Sequence, residues 1–187
     1  MELRNISKSY GSENVLDDVS LSFPEGSVSV IYGASGRGKT TLLRIIMGLE
    51  APDAGELGGV PERISAVFQE DRLPPEFSPA VCVKMTAPKQ VTGETIAEQL
   101  AQLGLAEHMK KPVKLLSGGM KRRVAIVRAM LHDSQLVILD EPFTGMDAET
   151  RALSAAYILR QLGGRTLIAV SHSPEDAQLL GGRAIEL

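Results

Sequence analysis

The sequence predicts an α/β fold built around a parallel β-sheet. Short apolar runs at 135–140 and 166–170 are typical of strands that are buried on both faces of such a sheet. A third run, SVSVIY at 27–32, is followed by a glycine-rich turn and then by apolar residues at helical spacing. Because apolar runs alternate with helical patterns along the chain, we expect parallel strands joined by helices.

Capping and turn residues predict where the other elements begin and end. The helix after the glycine-rich turn ends near Gly48, and a strand with alternating apolar residues follows at 64–68. Asp147, with an acidic residue in the following turn, predicts the start of a helix that runs through Arg160. The sequence Ser-Pro-Glu at 173–175 predicts the start of the last helix.

A different kind of segment follows the strand at 64–68. Prolines make residues 70–93 irregular in our prediction, including VCVKMTAPK at 81–89, whereas residues 94–105 have the apolar spacing of a helix. We therefore expect a single domain with a mainly helical insertion. Its core is predicted to comprise residues 1 to about 70 and about 133–187, and its insertion about 71–132.

Composition excludes several classes of protein. The 187 residues suit one domain, and a formal charge of −3 does not indicate a nucleic-acid-binding protein. The single cysteine, Cys82, excludes an intrachain disulfide and a zinc site built from cysteines, and we interpret it as a small apolar contact. No apolar run reaches the roughly 18 residues of a membrane span, and the first ten residues lack the apolar core of a signal peptide. We expect a cytoplasmic protein that reaches a membrane only through a partner.

The segment GASGRGKT at 33–40 matches the phosphate-binding motif G-x-x-x-x-G-K-[ST] at every fixed position. The glycines of such a loop let backbone N–H groups point at a phosphate, and the helix that follows adds positive potential at its N-terminus. Lys39 is predicted to reach the β- and γ-phosphates of a nucleotide, and the Thr40 hydroxyl is predicted to bind Mg²⁺. The alternative, a glycine-rich turn without a ligand, is disfavoured because a strand is predicted before the loop and a helix after it.

Two carboxylates end the buried strand at 135–140. Ligands of open α/β sheets bind beyond the carboxyl ends of the strands, and Asp140 is predicted to contact Mg²⁺ there. Glu141, the next residue, is predicted to polarise the attacking water as a general base. By itself the pair is equally compatible with a solvated strand end before Pro142, but the phosphate loop upstream favours catalysis.

The residues that discriminate between families of phosphate-loop proteins lie at 115–130. Ser117 is predicted to cap a helix, and Gly118 and Gly119 leave its first N–H groups uncovered, which makes a second anion-binding helix start. With the phosphate loop and the acidic strand end, this LSGG sequence resembles the ATP-binding-cassette (ABC) ATPases, whose signature is LSGGQ. Met120 departs from that signature at its last position, which affects a polar side-chain contact but neither the serine nor the backbone contacts.

The resemblance covers essentially the whole chain. It implies a P-loop NTPase, RecA-like core with a mainly parallel sheet, a small antiparallel β subdomain, and an inserted helical subdomain that carries the signature. It also implies that Tyr10 stacks on adenine, that Gln69 senses Mg²⁺ and the γ-phosphate, and that His172 contacts the γ-phosphate. Taken singly, each of these three residues is more simply interpreted as an ordinary surface or loop residue.

The site residues that the resemblance implies fall into three groups. The nucleotide-binding group comprises Tyr10, Gly33, Ala34, Ser35, Gly36, Arg37, Gly38, Lys39, Thr40, Thr41, Ser117, Gly118, Gly119 and Asp147. The catalytic group comprises Glu141, His172, Gln69 and Lys39, and the Mg²⁺ group comprises Thr40, Gln69 and Asp140. Every catalytic position holds the active residue type, which predicts a competent ATPase. Asp147 is also a good helix N-cap, and the two roles are compatible.

The resemblance further implies how the protein works. In this family two cassettes face head to tail and enclose two ATP molecules, so that the Ser117 helix start of one subunit completes the site at the phosphate loop of the other. We therefore expect ATP and Mg²⁺ as cofactors, a second cassette subunit in a dimer that ATP closes, and poor hydrolysis by a lone subunit. A homodimer is favoured over a heterodimer, because both half-sites are complete in this chain.

Most single-cassette chains of the family power membrane transporters, and the segment after their glutamine docks on the permease. The corresponding surface is predicted near residues 69–85, and VFQEDRLPP at 67–75 resembles importers of small molecules such as sulfonates, nitrate or thiamin-like compounds. A transporter subunit, more specifically of an importer, is the leading hypothesis. The permease would hold the protein at the inner face of the cell membrane. The sequence does not identify the cargo, because the cassettes of this family do not contact it.

The sequence leaves two other functions open. The first is a non-transport cassette that acts as an ATP-gated clamp on soluble or cell-division partners. The second is a small-molecule phosphotransferase, which leaves Ser117–Gly119 and His172 unexplained. Residues 107–133 carry seven Lys and Arg side chains, but no aromatic residues interleave to stack on bases, so no nucleic-acid partner is expected. We interpret these cations as a solvated helical face or as a positive field around the triphosphate.

Overall fold

The computed structural model of the protein describes residues 1–187. The chain folds into two units, which are described separately. The first unit comprises residues 1–64, 135–140 and 164–187, and the second comprises residues 65–134 and 141–163. The prediction of a single cassette domain with an inserted helical subdomain stays a prediction. No helix combines the length and the apolar character that a membrane crossing requires.

Eight strands and six helices make up the fold. The strands are β1 (Glu2–Tyr10), β2 (Glu13–Ser22), β3 (Val28–Tyr32), β4 (Ala54–Gly58), β5 (Ile64–Val67), β6 (Leu136–Asp140), β7 (Thr166–Ser171) and β8 (Arg183–Glu186). The helices are α1 (Lys39–Ile46), α2 (Pro79–Lys84), α3 (Gly93–Gln102), α4 (Gly118–Met130), α5 (Ala148–Leu162) and α6 (Glu175–Leu179). Two single turns of 3₁₀ helix lie at Ala106–His108 and Val113–Leu115.

The first unit contains the parallel sheet that the sequence predicts. Its strands run in the order β6-β7-β3-β8, and every residue of β6 and β7 is buried. The strand β5 starts in this unit at Ile64 and continues into the second unit. Tyr32 is in register with Ser171, and Asp140 with Val170, so the carboxyl ends of β3, β6 and β7 lie at one edge. This edge brings the phosphate loop, Asp140 and the turn at His172 to the same side of the sheet.

A small antiparallel sheet completes the first unit. Its strands run in the order β2-β1-β4, and the apolar side chains of Leu3, Ile6 and Leu16 are buried. The predicted α/β class is confirmed, with a mainly parallel sheet and this small antiparallel sheet.

The second unit is mainly helical and corrects one prediction. The segment VCVKMTAPK at 81–89 was expected to be irregular, yet α2 covers Pro79–Lys84. Ser78 accepts a hydrogen bond from the N–H of Val81 as N-cap, and Pro79 occupies the first helical position, where its missing N–H costs nothing. The prediction is wrong because proline interrupts a helix in its interior but not at its first position.

Two helix boundaries also differ from prediction. The helix expected at 94–105 is α3, which ends at Gln102 because Gly104 turns the chain with φ 69°. The last helix begins at Glu175 rather than at the predicted Pro174, which occupies the N-cap position. In contrast, α5 begins directly after its predicted cap, Asp147, whose carboxylate accepts the N–H of Thr150 at 2.8 Å.

Candidate nucleotide site

The phosphate loop joins β3 to α1 and depends on glycine at two positions. Gly36 and Gly38 have φ angles of 81° and 82°, in the left-handed region that side chains disfavour. A Cβ on Gly38 would lie 2.6 Å from the carbonyl oxygen of Val15 and 2.6 Å from the Cδ2 atom of Leu16. The loop therefore approaches β2 too closely for any side chain at Gly38, the N-cap of α1.

Lys39 places its charge inside this loop. Its side chain is buried, and its ammonium donates hydrogen bonds to the carbonyl oxygens of Gly33 and Ala34, both at 2.8 Å. The carbonyls hold the amine over the loop, where the first N–H groups of α1 also point. Residues 34–37, which include Ser35 and Arg37, are exposed, and Thr41 is half-buried in the first turn of α1. This arrangement concentrates positive potential where an anion would bind.

Thr40 and Asp140 meet at the carboxyl end of β6. The Thr40 hydroxyl donates to the Asp140 carboxylate across 3.2 Å, and Asp140 is buried. A hydroxyl beside a carboxylate is a hard oxygen donor pair of the kind that Mg²⁺ binds together with substrate phosphates. No group of three or more His, Cys, Asp or Glu side chains could hold a metal ion. The residues therefore fit a magnesium ion that needs phosphate oxygens to complete its shell.

Tyr10 lies at the end of β1 with its ring half-exposed. Its hydroxyl donates to the carboxylate of Glu50, which also lies 3.7 Å from Arg44 of α1. Lys8 places its ammonium 5.7 Å from the centre of the Tyr10 ring. The ring is therefore fixed at its hydroxyl end and keeps area for stacking, as a residue that contacts adenine requires. Glu50 belongs to no sequence motif and is not predicted from the sequence.

His172 stands in the exposed turn that follows β7. The turn is built by its neighbours: the buried Ser171 hydroxyl donates to Asp176, and the N–H of Ser173 donates to the Ser171 oxygen at 3.1 Å. These bonds keep the turn at the same edge of the sheet as Asp140.

The signature residues form a capped helix start in the second unit. The Ser117 hydroxyl accepts the N–H of Met120 at 3.3 Å, which confirms the predicted cap of α4. A Cβ on Gly119 would lie 2.8 Å from the carbonyl oxygen of Gly145, so the helix start packs against the turn before α5. Gly118 faces open space. Such a helix start with exposed N–H groups can bind an anion.

Asp147 lies beside this helix start. The N–H of Thr150 holds the pKa of the Asp147 carboxyl below its ordinary value, and the positive charge of Arg123 acts in the same direction. Asp147 therefore caps α5 as a carboxylate. A role in contacting nucleotide across a dimer stays a prediction.

Glu141 has an uncommon backbone conformation. Its φ angle is 51°, in the left-handed region that costs a residue with a side chain about 1–2 kcal/mol. Its carboxylate accepts a hydrogen bond from the Thr144 hydroxyl at 3.3 Å. Strain of this kind is concentrated at functional sites, where it aims a side chain that relaxed geometry would direct elsewhere.

Gln69 is exposed and comes directly after Phe68, the first residue beyond the end of β5. Two arginines of α4 hold the backbone of this loop. Arg122 donates to the carbonyl oxygens of Phe68 and Gln69, and Arg128 donates to those of Asp71 and Arg72. The interpretation of the basic residues at 107–133 as a solvated face or a field is therefore wrong for these two. It is also wrong for Arg123, which donates to the Leu103 carbonyl oxygen at 2.6 Å.

Cys82 is buried on α2, as its interpretation as an apolar contact requires. Burial raises the pKa of its thiol above the ordinary value, although the charge of Arg128 acts in the opposite direction. A thiol with a raised pKa is a poor nucleophile at neutral pH.

Comparison with known proteins identifies the family. The family model described as ABC transporter matches residues 16–144. The chain is 36% identical over 191 residues to the aliphatic sulfonates import ATP-binding protein SsuB 3 of Rhodococcus jostii (strain RHA1), covering 100% of this chain and 70% of that protein. It is 37% identical over 188 residues to SsuB 2, of the same description, from Frankia alni (strain DSM 45986 / CECT 9034 / ACN14a), covering 99% of this chain and 76% of that protein.

A solved structure supports the same assignment. The fold matches the dimeric post-hydrolysis state of the ATP-binding cassette MJ0796 bound to ADP and Pi, with a TM-score of 0.85 and 26% sequence identity. The match covers 100% of this chain and 93% of that chain. With a phosphate loop before α1, an acidic residue at the end of β6 and a capped LSGG helix start, the chain belongs to the ABC transporter family of ATPases.

Proposed function

We propose that this chain is the ATP-hydrolysing subunit of a membrane importer and that two copies work as a pair around two ATP molecules. The observation that carries the proposal is the pairing of two anion-binding helix starts in one chain, at Lys39 and at Ser117. A small-molecule phosphotransferase uses only the first of them. A protein that binds ATP between two copies uses both.

The first helix start binds the triphosphate in this proposal. The N–H groups of Gly33–Thr41 surround the β-phosphate, and Lys39 exchanges its loop carbonyls for phosphate oxygens. Thr40 and Asp140 would hold Mg²⁺, which would supply positive charge to offset that of the β- and γ-phosphates. Tyr10 supplies the surface on which adenine stacks, because its ring is half-exposed and its hydroxyl is already engaged.

Glu141 is the proposed general base. It would accept a proton from the water that attacks the γ-phosphate, and the Thr144 hydroxyl would keep its carboxylate oriented. Gln69 and His172 are assigned to the same reaction through the family pattern. Gln69 would contact Mg²⁺ and the γ-phosphate, and His172 would contact the γ-phosphate.

The second helix start acts on the partner copy. α4 is 13 residues long, so its aligned peptide dipoles give its N-terminus about half a positive charge. The Ser117 hydroxyl and the N–H groups after it would bind the γ-phosphate held by the other copy, and Asp147 would lie at the same interface. Because a lone chain lacks this half of the site, hydrolysis requires the pair.

The permease would dock on an exposed apolar stripe of the second unit. The stripe consists of Phe77, Val81 and Met85, which are 45%, 43% and 60% exposed and spaced four residues apart along α2 and its ends. An ion pair between Glu76 and Lys114, 2.7 Å long, lies next to Phe77 in the chain. Apolar side chains clustered on a surface and rimmed by charge mark interaction sites. This stripe overlaps the segment 69–85 that the sequence predicts as the docking surface.

The cargo is proposed from the relatives alone. Those described above carry names that assign them to the import of aliphatic sulfonates. We therefore propose a small organic molecule as cargo and aliphatic sulfonates as the first class to test.

Co-purification tests the partner. The tagged protein is purified from detergent-solubilised membranes of its own source, and we expect a polytopic membrane protein in comparable amount. Val81→Asp should abolish that association, because it places a charge in the stripe. The matched control is Leu153→Asp on α5, a similarly exposed leucine at 39%, which should retain the partner. Recovery with soluble partners only would instead favour the ATP-gated clamp.

A further inference from the structure

Arg122 is a buried cation that holds the backbone of the glutamine loop, defined here as residues 68–72. Its side chain is 6% exposed. One guanidinium nitrogen donates to the carbonyl oxygen of Phe68, and the other donates to that of Gln69 at 2.5 Å. A planar guanidinium matches two adjacent carbonyls in this way, whereas an ammonium does not.

The loop is held at a second point by the same helix. Arg128 donates to the carbonyl oxygen of Arg72 at 2.8 Å and to that of Asp71 at 3.1 Å. The Asp71 carboxylate lies 3.4 Å from Arg122 and is its counter-ion. Burial raises the pKa of Asp71, while the charge of Arg122 acts in the opposite direction. Four loop carbonyls are therefore bound to two arginines of α4.

Arg122 lies on the same helix that Ser117 caps, so the glutamine loop and the Ser117 helix start are joined through α4. Ser117 caps the first turn of α4, and Arg122 lies five residues further along the same helix. A regular helix of this length moves as one body because its backbone hydrogen bonds are internal. A shift of the Gln69 backbone that keeps its bond to Arg122 must therefore carry Ser117 with it.

We propose that Arg122 is a positioning residue that fixes the backbone of Gln69 and ties its movement to the Ser117 helix start. This inference rests on the proposed function, in which Gln69 acts on the ATP of its own chain and Ser117 on the ATP of the partner. Arg122 then links the occupancy of one ATP site to the geometry of the other through two direct hydrogen bonds and one helix.

A mobility measurement without nucleotide tests the restraint itself. Cys82 is the only cysteine, so Cys82→Ser allows a nitroxide to be placed on Glu70→Cys, at an exposed position in the glutamine loop. We expect Arg122→Met to shorten the rotational correlation time of this label by about twofold or more, on the nanosecond scale of loop motion. Lys121→Gln is the matched control, because it removes a neighbouring positive charge that makes no hydrogen bond to the loop. A label on Glu98→Cys, exposed on α3, should not change with either variant.

Steady-state hydrolysis tests the consequence for the reaction. In Arg122→Met we expect kcat to fall about tenfold, equivalent to about 1.4 kcal/mol in the barrier, while the KM for ATP changes by less than about twofold. The Mg²⁺ concentration for half-maximal activity should rise at least about threefold, because Gln69 is no longer held. Arg122→Lys should give intermediate values, since lysine keeps the charge but not the two-pronged geometry.

The outcomes separate this inference from the proposed function. If wild-type protein hydrolyses ATP and Arg122→Met leaves label mobility and Mg²⁺ dependence unchanged, the inference is overturned and the proposed function stands. If kcat falls but the Mg²⁺ dependence does not move, Arg122 is structural only and the inference is also overturned. If wild-type protein does not hydrolyse ATP, the proposed function fails, while a label freed by Arg122→Met still supports the restraint.

Discussion

Replacing Gly38 with alanine tests the geometry of the phosphate loop without removing any group that could contact phosphate. Gly38 has a φ of 82°, and a left-handed conformation costs an alanine about 1–2 kcal/mol. Its new Cβ would also lie 2.6 Å from the Val15 carbonyl oxygen and 2.6 Å from Leu16 Cδ2. The oxygen belongs to β2 and Leu16 is 2% exposed, so neither can move freely. Overpacking of this kind adds about 1–3 kcal/mol.

The expected loss of stability is therefore about 3 kcal/mol, which lowers the Tm of a chain of this size by about 6–12 °C. Thermal unfolding followed by circular dichroism, without nucleotide, measures this loss. Gly36→Ala is the matched control, because Gly36 has a φ of 81° but no heavy atom within 4 Å of its Cβ position. It should lose only the conformational part, about 1–2 kcal/mol or about 2–8 °C. Equal losses in the two variants would refute the argument that β2 contacts the loop.

Three further predictions concern individual side chains. Lys39→Ala should weaken ATP binding sharply in isothermal titration, and unchanged affinity would contradict the phosphate-loop assignment. Ser117→Ala should lower stability by about 1 kcal/mol through loss of a helix cap, and it should also lower ATPase activity. Ser117→Asn should lower activity only, because asparagine caps a helix as well as serine does. A stable and fully active Ser117→Ala would exclude both roles. The hydrogen bond from Lys8 at 2.8 Å, and next the Ser9 N–H, hold the pKa of Asp53 below its ordinary value of 3.8. Its contribution to stability is therefore complete above that pH and is lost on further acidification, so Asp53→Asn should flatten this acid dependence in pH-resolved melting curves.

The backbone geometry of the phosphate loop can be predicted from local sequence. The motif at 33–40 predicts glycines with unusual backbone angles, and the structure gives left-handed φ values at Gly36 and Gly38. The contact between Thr40 and Asp140, 100 residues apart, is foreseeable for a different reason. Parallel strands place their carboxyl ends at one edge, so a loop after β3 and an acid at the end of β6 must approach each other.

The contacts of Arg122, Arg128 and Glu50 could not be predicted from sequence. Each joins a side chain to atoms 40 or more residues away, and the partners of both arginines are backbone carbonyls, which carry no side-chain signal. A run of basic residues without aromatic or acidic residues has the same sequence pattern whether its side chains are solvated or bound to backbone carbonyls. Only the three-dimensional path of the glutamine loop distinguishes the two.

The missed helix α2 has a different explanation, because its signal was present. Ser78 followed by Pro79 is the pattern of an N-cap and a first helical residue, the same pattern that predicts a helix start at Ser173 and Pro174. Proline is a breaker inside a helix but not at its start. The positions of the prolines, rather than their number, therefore predict where a helix can begin.

The proposed function depends above all on hydrolysis of ATP by this chain with Glu141 as the general base. The most direct measurement is steady-state release of phosphate by purified wild-type protein and by Glu141→Gln, at saturating ATP and Mg²⁺, with ATP binding measured in parallel. We predict turnover by the wild type that depends more than linearly on protein concentration, since two copies are needed. Glu141→Gln should bind ATP normally and lose turnover, because an amide cannot accept the proton. Undiminished turnover by Glu141→Gln would contradict the claim.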